Sequence, residues 1–417
     1  MVTSRLLFWT LIVAAAASAQ TVRMIEVEGE GRKYWPQWRG PSGQGLVEGK
    51  GYPDAWSGTE NVQWKVAIPG RGHSSPAIWK DRIFLTTAYD GTRRAVLCFN
   101  RGDGKLLWEA AAPEPQAVER VYRKNSHATA TPATDGERVY ALFGNAGLLA
   151  LDFSGKQVWH YSFGTTSNYH GPGGSPLLYK DRVIFYQDQR SDSFVAALDA
   201  KTGRELWKTP RQEKVGWGTP IAIRAGDRDE IVVSGQYAVR AYHPDTGKEL
   251  WTARGSTMEV TPTPAVAHGL VFCPSGRAGP TLAIRPGGSG DVTDTHIAWQ
   301  TPRGSSFIPS PLVYGDYLYL INDMTSIATC LEAKTGQPVW QGRLGEATRE
   351  GFSASPLAVD GNIFFTNDEG ETFVLAAGRE FHLLRVNRLN EQTLATPALA
   401  DGKWYFRTAG HLLAIGR

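Results

Sequence analysis

The chain has 417 residues, of which 20% are charged and 41% hydrophobic, and it carries a net charge of +3. That composition is globular rather than disordered. The near-balanced charge, with no Lys/Arg-rich run, excludes an electrostatic nucleic-acid binder.

In chain order, residues 1–19 read as a secretory signal peptide. Arg5 supplies the positive end, residues 6–17 an apolar stretch, and Ala17-Ser18-Ala19 a cleavage site that leaves a new terminus near Gln20. The stretch is too short to cross a bilayer well, and no later one reaches about 18 apolar residues, so no transmembrane segment is expected. No cysteine follows the cleavage site, so a periplasmic or secreted protein without a lipid anchor is expected. Residues 20–60 differ in composition, with WPQWRGP at 35–41 and many glycines. They are too irregular for a repeat and read as an arm lying across the rest, with Trp35, Trp38 and Trp56 buried. The three cysteines, Cys98, Cys273 and Cys330, are an odd number and far apart, which excludes a fully paired disulfide framework.

From residue 61 onward the chain repeats. A Ser/Thr-Pro pair recurs at Ser75-Pro76, Thr131-Pro132, Ser175-Pro176, Thr219-Pro220, Thr263-Pro264, Ser310-Pro311, Ser355-Pro356 and Thr396-Pro397, with prolines 56, 44, 44, 44, 47, 45 and 41 residues apart. Most pairs open two short apolar runs around a polar turn, as in SPLLYKDRVIFY at 175–186. That is a hairpin pattern, with proline at the strand start, where its missing N–H costs no ladder bond. A second landmark follows, a small residue, then a glycine, then a tryptophan; ALDAKTGRELW at 197–207 is its cleanest copy. It reads as a third strand, a tight turn with glycine at positive φ, and a fourth strand. Four short strands in about 46 residues is the size of a propeller blade.

Eight pairs predict an all-β, eight-bladed β-propeller over residues 61–417. The docking tryptophans of blades one to six are Trp108, Trp159, Trp207, Trp251, Trp299 and Trp340, and a leucine is expected in blade seven. Blade eight ends after its third strand, HLLAIG, while a spare strand, NVQWKVA at 61–67, precedes blade one. Pairing the two closes the ring, puts Trp64 in the last slot and leaves no long open edge. Cys98 and Cys330 fall in the small slot of the third strand and read as buried hydrophobes.

The A-x-D-x-x-x-G-x-x-x-W copies resemble the tryptophan-docking repeat of quinoproteins. With the WPQWRGP arm, the chain resembles the PQQ-binding-like β-propeller proteins of the quinoprotein alcohol dehydrogenase-like superfamily, whose relatives include the outer-membrane assembly lipoprotein BamB, a scaffold without catalysis. The enzymatic branch implies pyrroloquinoline quinone (PQQ) with Ca²⁺, a vicinal Cys-Cys pair and an Asp/Glu/Asn metal set. The sequence has no vicinal cysteines, and no matching set is found.

In a propeller the loop before each innermost strand lies at one mouth of the channel. Here those loops carry His73, His127, His170, Trp217, Glu259, Phe307, Arg349 and Glu350, with Phe352, Glu391 and Gln392 beside them. Three imidazoles with a carboxylate are a divalent-metal set, although histidines of this kind also simply bond loop backbone. Asp323, Asp360, Asp368 and Glu369 read as solvated turn residues. No Gly-x-Ser-x-Gly, Walker loop, His-Glu-x-x-His or Cys-x-x-Cys occurs. The expectation is a binding or scaffold propeller outside the cytoplasm, without a cofactor, taking a protein or polysaccharide partner at this mouth. The alternative is a PQQ- or metal-dependent oxidoreductase.

Overall fold

The computed structural model describes residues 21–277, 279–346 and 351–417. The signal segment, its cleavage site, Arg349 and Glu350 lie outside the described residues.

Eight antiparallel sheets of four strands each make an eight-bladed propeller, and two of the sheets carry extra strands. Burial explains the sequence pattern. The second and third strands of a blade are sandwiched between neighbouring blades on both faces, so they read as continuous apolar runs, such as Arg82–Ala88 and Arg94–Asn100. The outermost strands face solvent and alternate, as Val62–Ala67 and Leu106–Ala111 do. Val62–Ala67 pairs antiparallel with His411–Ile415, so the first strand completes the last blade, as its missing fourth strand predicts.

Two interactions hand each blade on to the next. The first is the tryptophan dock. The small residue of the third strand lies opposite the tryptophan in Cys98↔Trp108, Ala197↔Trp207, Cys330↔Trp340 and Ala414↔Trp64, and the register shifts beside each pair. The indole then packs on the turn glycine of the following blade. A Cβ on Gly203, at φ +72°, would lie 2.6 Å from Trp159, and one on Gly247, at φ +68°, would lie 2.4 Å from Trp207. Glycine therefore serves both the turn and the close approach. The indole N–H also crosses the seam, donating to Ala200 O from Trp159 (3.0 Å), to Pro244 O from Trp207 (2.9 Å) and to Arg101 O from Trp64 (3.2 Å).

Two blades depart from this scheme. Trp251 packs among blade-five residues but donates to Glu230 Oε2 within its own blade (2.7 Å), beneath an added strand, Gly290–Asp291. In blade seven the position opposite Val374 is Arg385, not a leucine. The gap is filled from the arm: Trp56 stacks on Phe364 of blade seven and packs against Trp404 of blade eight, with centroids 6.1 and 5.1 Å away.

The second handover explains the Ser/Thr-Pro repeat. Each Ser/Thr hydroxyl accepts the backbone N–H of the Ser/Thr in the preceding blade, at 2.9–3.1 Å, in seven successive steps from Ser75 to Thr396. The eighth step differs. Among the described residues the Ser75 hydroxyl has no partner, and the seam between blades eight and one is held instead by Arg407, which donates to Ser74 O, Ser74 Oγ and Thr86 O.

The arm fills the channel from the side of the turns between first and second strands. Val22–Met24 pairs with Ile221–Ala225, Trp35 bridges Ile78, and Leu46–Val47 runs parallel to Leu357–Val359. Arg39 is wholly buried there and donates to Pro311 O (2.8 Å) and Gln44 O (2.5 Å). No carboxylate among the described residues pairs with it, and burial pushes its pKa down to about 9.

Trp207→Ala is expected to cost about 3–5 kcal/mol in a denaturant melt. Thr219→Val, which leaves the Ser175 N–H buried without its acceptor, is expected to cost about 1–3 kcal/mol. A loss well under 1 kcal/mol (roughly the net worth of one hydrogen bond) in either would mean that the seam does not depend on that contact.

Candidate functional site

Because the arm closes one end, the channel is a funnel whose mouth lies at the end of the blade-linking loops. The cavity is about 500 Å³. Its floor is Trp38, whose indole donates to the Thr263 hydroxyl (3.2 Å), surrounded by the hydroxyls of the blade-to-blade ring.

On one wall stand aromatic rings. His170 lies 4.3 Å from Tyr169, 5.0 Å from Tyr122 and 5.4 Å from Trp217, measured between centroids. Trp217 is fixed by its N–H to Gly171 O (2.8 Å). Glu259, at φ +64°, sits behind them and accepts from the Tyr169 hydroxyl (2.7 Å), with His170 Nε2 at 3.4 Å and Arg277 at 3.3 Å. The Arg277 guanidinium lies over the Phe307 ring, 5.4 Å from its centroid, and the Phe307 N–H donates to Asp323 Oδ1 (2.9 Å). Thus His170, Trp217, Glu259 and Phe307 form one side of the mouth.

The other candidates separate. His73 lines the funnel, and burial first, then the nearby Arg407 and Lys124 cations, push its pKa down to about 4. The imidazole is therefore neutral at ordinary pH. His127 turns away, with Nδ1 3.7 Å from Glu119. Phe352 is core, packed on Phe373, and Glu391 binds His411 Nδ1 at 2.9 Å. The three imidazoles do not converge, and the described residues contain no group of three His/Cys/Asp/Glu able to hold a metal.

Sequence reasoning missed two buried aspartates at the mouth. Asp323 and Asp368, read as solvated turn residues, are 6% and 1% exposed. Lys124 Nζ lies 2.5 Å from Asp368 Oδ2, and the Ser353 hydroxyl donates to the same oxygen (3.1 Å). Burial pushes the Asp368 carboxyl up to about 6, although Lys124 and Ser353 pull it the other way. The available signal was the 56-residue spacing between the first two prolines, which marks extra chain in the connection that carries Lys124.

Comparisons with known proteins agree with this architecture. A family model described as outer membrane protein assembly factor BamB matches residues 54–190 and 191–417. The BamB of Bordetella pertussis is 23% identical over 307 residues, covering 60% of this chain and 73% of that protein. Against the BamB of Moranella endobia the match is 33% over 105 residues, 25% of this chain and 24% of that protein. The 1-butanol dehydrogenase (quinone) of Thauera butanivorans is 26% identical over 189 residues, 41% of this chain but 29% of that enzyme. Among solved structures, the BamB of Moraxella catarrhalis superposes with a TM-score of 0.59 at 14% identity, over 84% of this chain and 95% of that one. The quinohemoprotein alcohol dehydrogenase of Comamonas testosteroni gives 0.66 at 12% identity, over 92% and 81%. At these identities the superpositions speak for the fold alone.

The raised pKa of Asp368 means that the folded state takes up a proton between the unfolded value near 4 and about 6, so this group's contribution to stability falls as pH rises through that window and is flat above it. Carboxyl-carbon NMR is expected to place the Asp368 midpoint near 6, with the His73 ring still neutral at pH 5. An Asp368 midpoint near 4 would contradict the burial argument.

Proposed function

The chain belongs to the family described as outer membrane protein assembly factor BamB, and from that premise we propose that it is a partner-binding propeller without catalysis, acting outside the cytoplasm and receiving a segment of another protein at the mouth of its funnel. The observation that carries this reading is the composition of the mouth face. Tyr122, Tyr237, Met258 and Met324 stand 44–62% exposed on loops of that face, around the His170–Trp217 stack and the Arg277–Phe307 pair. Exposed tyrosine, methionine, tryptophan and arginine gathered on rigid loops are the groups enriched in protein interfaces. No relative named above carries a carbohydrate in its description, so the proposed partner is a protein. Among the described residues no helix is long and apolar enough to cross a membrane.

A quinone-dependent oxidoreductase is the second reading, favoured by the dehydrogenase relatives and by the size of the cavity. The donor set fits that centre poorly. Asp368 is engaged by Lys124 and Ser353, Asp323 accepts the Phe307 N–H, and the described residues hold no three-ligand metal cluster.

The readings separate in one pair of experiments. A photo-crosslinking residue at Tyr122 or Met324 is expected to capture one discrete protein in the source cells, while the same residue at Val158 on an outer strand captures none. Calorimetric titration of purified protein with PQQ and Ca²⁺ is expected to show no binding; saturation near one site per chain, with no crosslinked protein at the mouth, would overturn the proposal.

A further inference from the structure

The connection between blades one and two, residues 112–131, is the longest in the ring, and its path is unlike the others. At its base Glu119 makes a fully buried bidentate pair with Arg94 of blade one, at 2.8 and 2.7 Å. Burial alone would raise the Glu119 pKa, but the His127 ring 3.7 Å away and the hydrogen bonds from Arg94 hold it at about 2, so this anchor is charged at every ordinary pH. Beyond it the chain leaves the rim. The Tyr122 N–H donates to His170 O (3.1 Å), and Asn125 Nδ2 donates to His170 O (2.7 Å) and Pro172 O (2.8 Å), all in the loop that opens blade three. Between these two residues, Lys124 reaches Asp368 in blade seven.

In a ring of eight, blades three and seven are diametrically opposite. A segment of four residues that touches both lies across the axis. We propose that residues 120–126 are a strap over the funnel and that the Lys124–Asp368 pair is its latch, so that releasing the latch opens the cavity while the Arg94–Glu119 anchor holds the base. The two ends differ as a hinge and a latch should. The anchor is a bidentate Arg–carboxylate pair with both side chains at most 1% exposed, the strongest kind of ion pair. In the latch a lysine ammonium and the Ser353 hydroxyl meet one oxygen of Asp368, and the other Asp368 oxygen has no hydrogen-bond partner among the described residues. A buried carboxylate with one oxygen unsatisfied is a strained arrangement that stability alone does not favour.

This inference concerns access to the cavity, whatever enters it, so its test needs no partner and can fail independently of the binding reading. Ala395 lines the funnel and is 3% exposed. In an Ala395→Cys chain the three native cysteines are buried, with thiols pushed up to about 12 by burial, so they stay silent at neutral pH. The rate of maleimide labelling at position 395, read by mass, is expected to rise at least tenfold on adding Lys124→Met or Asp368→Asn. It should stay unchanged on adding Lys80→Ala, which breaks the Glu30 ion pair at the far end. The charge-exchanged pair Lys124→Asp with Asp368→Lys is expected to restore slow labelling. Equal rates in all these chains would overturn the strap. Should a latch variant unfold, the unsubstituted chain still decides. Trypsin is expected to nick after Lys124 while the rest of the propeller stays folded, and cleavage there only at the global unfolding rate would equally overturn the proposal.

Discussion

A single four-stranded blade cannot bury two apolar faces by itself, so everything in this molecule depends on each blade being handed to the next. In most repeats the handover is made twice, at different radii. Near the rim an indole crosses the seam and lies on a glycine that has no Cβ to obstruct it. At the axis a hydroxyl accepts the N–H of the preceding blade. Together they fix the rotation between blades, and a fixed rotation repeated eight times is what makes a ring meet itself. The strand Val62–Ala67 then joins the two ends of the chain in one sheet. The least regular seam is the last, between blades eight and one, where the hydroxyl ring lacks its eighth link and Arg407 takes over.

The arm turns a symmetrical wheel into a molecule with two different ends. Trp35, Arg39 and Gln44 occupy the channel and bond to the inner strands of several blades, so one end is closed and the other becomes a funnel. Arg39 shows how firmly the plug is set. Its two terminal nitrogens donate to backbone carbonyls of the arm itself and of blades six and seven, while Nε has no partner among the described residues. The same arm lends Trp56 to the blade that lacks a docking tryptophan. Asymmetry at the mouth has a separate origin, because loop length between blades is free to vary once the seams are fixed.

Legibility in the sequence followed the same division. Repeating physics was readable: the Ser/Thr-Pro pairs, the glycine-to-tryptophan spacing and the missing fourth strand together predicted eight blades and their closure. What happens once was not. Arg385 takes the slot where a leucine was expected, because the register is set by the sheet and the local apolar pattern offers two leucines that end up at the surface. At the mouth, membership of a loop put His170, Trp217, Glu259 and Phe307 on one wall, yet it could not show that His127 turns back to Glu119. Nor could it show that Asp323 and Asp368 are buried, since the aspartates of a strand-joining turn look solvated unless the chain crossing above them is known. Lys124 covers Asp368 from a segment some 240 residues away, and no local pattern encodes that contact.

The claim on which the rest stands is that the first strand is a full structural member of the last blade. Native-state hydrogen exchange, resolved by residue, tests it most directly. The account predicts that amides of Val62–Ala67 bonded to His411–Ile415 exchange only through global unfolding, at the same free energy as the second and third strands of other blades. Release of Val62–Ala67 at a markedly lower free energy, with the remaining blades still protected, would show a ring that holds without its closing strand and would contradict the account.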